Sequence, residues 1–83
     1  MEQLVILGLM VKQREKMATR MQGIFTKYGC SIKTRLGLNE IDIPGQGEAG
    51  LIILELMGDM EECMRLENEL HTLDGVIVRK MIF

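Results

Sequence analysis

Apolar residues follow two kinds of pattern along this chain. Residues 4–11 (LVILGLMV) and 51–57 (LIILELM) are apolar on both alternating faces, so a strand built from either is oily on both sides and must be covered on both. Elsewhere the apolar positions space out as on a helix. Met17, Met21, Ile24, Phe25 and Tyr28 make one stripe within 12–28, and Cys63, Leu66, Leu70 and Leu73, flanked by Met60, make a second after Asp59. Residues 31–38 alternate instead, with Ile32, Thr34, Leu36 and Leu38 on one side and Ser31, Lys33, Arg35 and Gly37 on the other. That predicts a half-exposed strand at a sheet edge.

Turn residues set the boundaries. Gly29 stands where a left-handed helix cap is expected. Asp59 with Glu62 three residues on resembles a capping box, and Asp59, Glu61 and Glu62 bring negative charge to the positive end of a helix. The single proline, Pro44, with Gly45, Gly47 and Gly50, predicts a long loop over 39–50 joining two strands. Asp74-Gly75 turns the chain into a last strand over 76–83.

The order β-α-β-β-α-β, with right-handed crossovers, predicts an α+β ferredoxin-like sandwich spanning residues 1–83 as one domain: an antiparallel four-stranded sheet in the order 4-1-3-2 with both helices on one face. The two central strands are then the two that are apolar on both sides. Two helices roof one face only. The other, carrying either Leu4, Ile6 and Met10 or Val5, Leu7, Leu9 and Val11, is expected to meet a second copy, in a homodimer or homotetramer formed through this face, the edge strands or both.

Composition narrows the function. A domain of 83 residues buries only about 60–65% of its unfolded surface and gains from oligomerisation. Ten Lys and Arg against twelve Asp and Glu leave a net charge of −2, which gives no general attraction to nucleic acid or anionic membrane. RNA recognition on this topology needs exposed aromatics, whereas Phe25 and Tyr28 sit on a helix stripe. The N-terminal apolar run is short, follows Glu2 and lacks a small-residue cleavage site, so it reads as neither signal peptide nor membrane span, and the expected location is cytoplasmic. Cys30 and Cys63 make no disulfide framework. With no nucleophile-base pair, no paired carboxylates and no glycine in the Val11-Lys12-Gln13-Arg14 turn to cradle a phosphate, neither catalysis nor a cofactor is expected. Cys63, Glu67 and His71, at i, i+4 and i+8, offer an alternative as a slanting metal-ligand stripe, although Cys63 equally fits the core and His71 suits a helix C-terminus. Most of the eight methionines fall at core-facing positions in this reading.

Over nearly its whole length the chain resembles the small ACT-like family of iron-only hydrogenase system regulators. The resemblance is carried by Leu9-Met10-Val11 closing the first strand, Arg14-Glu15-Lys16 opening the helix, Ser31-Ile32-Lys33-Thr34-Arg35-Leu36-Gly37, and Leu66 through Leu73-Asp74-Gly75-Val76. Lys12-Gln13 replaces an acidic pair of that pattern, and Leu38-Asn39 a Pro-Tyr pair. The resemblance implies a regulatory oligomer that binds a small effector at a subunit interface beside the first strand-helix loop, with transcription reached only through a protein partner. Carried over, the effector residues are Val11, Lys12, Gln13 and Arg14, faced by Lys33 and Arg35 of the second strand. A helix N-terminus flanked by Lys12, Arg14 and Lys16 suits an anionic effector. A stand-alone protein-interaction module without ligand is the other alternative.

Overall fold

The first apolar run forms β1 (Val5–Lys12), along which burial alternates residue by residue. Val5, Leu7, Leu9 and Val11 are buried, while Ile6, Gly8, Met10 and Lys12 are half-buried. α1 (Arg14–Lys27) follows, then a 3₁₀ turn (Gly29–Ser31), β2 (Ile32–Ile43), β3 (Gly47–Leu56), α2 (Met60–His71) and β4 (Val76–Ile82). This computed structural model describes residues 3–43 and 47–83. The strands form one antiparallel sheet in the order β2-β3-β1-β4, the predicted order read from its other edge.

Both predicted helix stripes are the ones that pack. Met17, Met21, Phe25 and Tyr28 from α1 and Cys63, Leu66 and Leu70 from α2, with Leu73 just beyond it, meet the odd-numbered residues of β1 and Leu54, Leu56 and Val78 in a single core. Leu7, Leu9, Leu54, Leu66 and Leu70 are fully excluded from solvent. The register therefore settles which set of β1 residues is left uncovered: Leu4, Ile6 and Met10, not Val5, Leu7, Leu9 and Val11.

Local geometry departs from the sequence reading at five places. The expected loop over 39–50 is mostly strand: β2 runs to Ile43 and β3 starts at Gly47, with Ile41 paired to Ala49 and Ile43 to Gly47. Two extended strands satisfy each other's backbone groups more fully than a loop does, and Pro44 itself lies outside the described residues. The β2 alternation is broken by a bulge between Ile32 and Thr34. It sends Ile32 to the core side with Leu56 and Arg35 to the helix side with Leu54, while Thr34 and Leu36 go to the uncovered side. Gly29 is not a left-handed cap, because α1 tightens into the 3₁₀ turn and the positive-φ glycines among the described residues are Gly58 and Gly75. Asp59 does cap α2, its Oδ1 accepting from the Glu61 N–H at 3.0 Å, but Glu62 makes no reciprocal bond and pairs with Arg65 at 2.6 Å. Finally, Met17 and Met21 are buried, whereas Met57, Met60, Met64 and Met81 are exposed.

Gly75 ties the end of the sheet together. Its φ is +80°, its carbonyl accepts from the Lys12 N–H at 2.7 Å, and a Cβ there meets the Lys12 carbonyl oxygen at 3.4 Å. Gly75→Ala is expected to cost about 1–2 kcal/mol through left-handed strain on an L-residue, read as a lower urea midpoint at unchanged slope.

Candidate functional site

The loop between β1 and α1 is a single residue, Gln13, held at φ 53°, ψ 50°. A non-glycine residue pays for this left-handed conformation, and no side chain caps the helix it begins. Of the first-turn N–H groups of α1, that of Lys16 donates to the Gln13 carbonyl at 3.0 Å, and those of Arg14 and Glu15 stand without a side-chain cap at the positive end of the helix, next to the half-buried Lys12. Val11 points into the core and is 1% exposed, so it supports the loop and has no surface for a ligand. The Arg14 side chain lies outside the described residues.

Lys33 and Arg35 do not join this loop within one chain. Lys33 sits at the opposite end of the sheet, its Nζ 3.9 Å from Glu55 Oε2, and with Leu4 and Met57 it lines a shallow cleft of about 360 Å³. Arg35 lies level with Leu54 and Leu7 and stacks its guanidinium 4.8 Å from the centre of the Phe25 ring. From Lys12 to these rows is five to seven residues of strand, roughly 17–24 Å. The cause is the antiparallel register of β2 on β3 and of β3 on β1, which alternation along β2 does not encode. A second cleft, about 330 Å³, lies between the helices and is lined by Arg20, Gly23, Lys27, Glu69 and Thr72. There Lys27 Nζ donates to Glu69 Oε1 at 3.0 Å, and the interactions with Tyr28 and then Lys27 hold the Glu69 carboxyl below its usual range. Neither cleft includes residues 11–14.

The proposed metal stripe is divided among other duties. Cys63 is 3% exposed and its thiol donates to the Met57 carbonyl at 3.4 Å; burial, then the charges of Asp59 and Glu62, push its pKa up. Glu67 accepts from Lys80 at 3.0 Å and lies 3.5 Å from His71 Nε2. Among the described residues no three His, Cys, Asp or Glu side chains converge as a metal site. Cys30 is exposed on the 3₁₀ turn. Iodoacetamide is accordingly expected to label Cys30 in the native protein and Cys63 only on unfolding, as read by intact mass with and without guanidinium.

The largest feature sequence reasoning left undivided is the uncovered sheet face. Leu36, Ile53, Leu51, Ile6, Met10, Ile77 and Met81 share it, with Leu4 hydrogen-bonded to Phe83 at one end. Leu36 is 52% exposed, Met81 54% and Phe83 73%. Surfaces this apolar mark interaction sites.

A four-stranded antiparallel sheet with two helices in βαββαβ order is the ferredoxin-like fold of ACT and PII-like domains. No protein-family model and no curated protein sequence matches the chain. Among solved structures, an uncharacterised protein from Thermotoga maritima superposes with a TM-score of 0.80 at 23% identity, over 99% of each chain. The ACT domain of a GTP pyrophosphokinase from Chlorobium tepidum superposes at 0.66 and 15% identity, over 94% of this chain and 96% of that one. CPII, a nitrogen regulatory PII-like protein from Thiomonas intermedia bound to ADP, AMP and bicarbonate, gives 0.65 at 13%, over 98% and 94%. At these identities the likeness establishes the fold. Among the described residues no helix is long and apolar enough to cross a membrane.

Proposed function

We propose that this protein is a small regulatory domain of ACT/PII type that works as a self-associated assembly, senses a small anionic effector and catalyses no reaction. The observation that carries this reading is the uncovered apolar face, which has no use in a solitary chain and matches the need of a small domain for extra burial. We place the effector at the start of α1, where Gln13 keeps a strained conformation and the uncapped N–H groups of the first two helical residues stand beside Lys12. That ADP, AMP and bicarbonate occupy CPII, a protein of the same fold, favours anions of this kind. Regulation of an iron-only hydrogenase system, in the cytoplasm and through a protein partner at the gene, is the finer reading, and it rests on the sequence resemblance alone.

Two measurements test it. Sedimentation velocity at micromolar concentration is expected to show a multiple of the 9.4 kDa chain. Thermal shifts with ADP, AMP, bicarbonate and amino acids are expected to find a stabilising anion, lost in Lys12→Glu/Arg14→Glu and kept in Arg35→Ala. A ligand held at 100 times its Kd stabilises by about 2.7 kcal/mol, well within detection. A monomer at all concentrations removes the assembly, and equal shifts in both variants move the effector elsewhere.

A further inference from the structure

The uncovered face is apolar but carries, in the two rows around Gly8 and away from Lys12 at its end, two opposite charges, and their positions select one way of pairing it. Its rows run, from β2 to β4, Thr34–Glu55–Ile6–Met81 and Leu36–Ile53–Gly8–Arg79. Arg79 is exposed, donates from Nη1 to the Val78 carbonyl at 3.1 Å, and makes no ion pair among the described residues. Most of its five N–H donors remain for another group. Glu55 lies one row away and two strands across, roughly 12 Å from Arg79 by strand spacing and rise. Thr34 Oγ1 reaches Glu55 Oε1 at 2.9 Å and Lys33 Nζ stands 3.9 Å from Oε2, which fixes the carboxylate while leaving it lone pairs to accept more. Between them Gly8 presents no side chain, so the middle of the face is a shallow dip walled by Ile53.

We infer that this face closes on a second copy of the chain with Arg79 of each copy paired to Glu55 of the other. The inference rests on the proposed self-association and specifies its register. A two-fold axis lying between two facing sheets carries each position to its reflection across that axis. If the axis is the perpendicular bisector of the line from Arg79 to Glu55, both ion pairs form at once, on either side of the Gly8 dip. A dyad centred on Arg79 instead brings guanidinium against guanidinium, which opposes it. The surrounding Ile6, Ile53, Met10 and Met81 supply the burial, and the charges choose the register, the role that interfacial ion pairs perform best.

The test is a charge swap followed by sedimentation velocity. Wild type is expected to self-associate, and Arg79→Glu, which sets two carboxylates against two, to do so at least tenfold more weakly. Glu55→Arg sets guanidinium groups together and is expected to weaken association equally. An equimolar mixture of the two variants restores both complementary pairs and is expected to form a heterodimer of near wild-type strength. Salt provides a reading that needs only the exposed position: raising NaCl from about 0.05 to 1 M weakens wild type and strengthens Arg79→Glu. Unchanged association of Arg79→Glu with no inversion of its salt response overturns the register while leaving self-association standing, as does a mixture of folded variants that stays dissociated. A wild type that never associates overturns both.

Discussion

Ile53→Glu is expected to leave the chain folded and to weaken its self-association at least about 100-fold. Ile53 sits on β3 in the middle of the uncovered face, between Leu36 and Gly8, and points away from both helices. In the isolated chain a glutamate there remains in water, at little cost. In the assembly it must lose that water with no cation facing it, since Arg79 already belongs to Glu55, and an unpaired carboxylate costs several kcal/mol on desolvation. With 1.4 kcal/mol for each tenfold, two decades is a conservative reading. Sedimentation velocity measures the loss, and circular dichroism with an unchanged unfolding slope shows that the fold is retained. A variant that associates like wild type removes this face as the interface.

Leu66→Ala is expected to destabilise the fold by about 2–5 kcal/mol, the range for deleting a fully buried leucine from a core that relaxes only in part. Leu66 is 0% exposed and belongs to the single cluster joining α2 to β1 and β3. A domain of this length is stable by roughly 4–12 kcal/mol, so the change removes much of the total. At about 4–8 °C for each kcal/mol, the melting midpoint falls by roughly 8–40 °C. Two residues earlier, on the outer side of the helix, Met64 is 55% exposed, and Met64→Ala is expected to change stability by less than about 0.5 kcal/mol. Equal effects at both positions contradict the assigned core face.

Much of this was legible in the linear pattern because burial has a period. Met17, Met21, Phe25 and Tyr28 repeat at helical spacing, and that stripe is the buried one. Asp59 before a negatively charged first turn marks the start of α2 because open N–H groups need an acceptor, and Asp59 supplies it. The β2–β3 pairing runs further than the pattern predicts because Pro44 and three glycines signal a turn without saying how far the strands on either side stay paired. β2 was misread because a bulge adds one residue to one strand, and from there on inside and outside exchange. Within one chain Lys12 and Gln13 stand together, while the register of β2 on β3 sets Lys33 and Arg35 in the far rows, a placement that no pattern along a single strand encodes.

The sequence by itself determined the element order, the sheet order, the two helix stripes and the presence of a surplus apolar face, since each follows from periodicity, chain connectivity and handedness. Only the tertiary structure decided which side of β1 is covered, where Arg35 lies, and how Arg79 and Glu55 are set out across Gly8. Those depend on pairing between strands distant in the chain, and a shift of one residue in that pairing reverses every face without altering the pattern along any single strand.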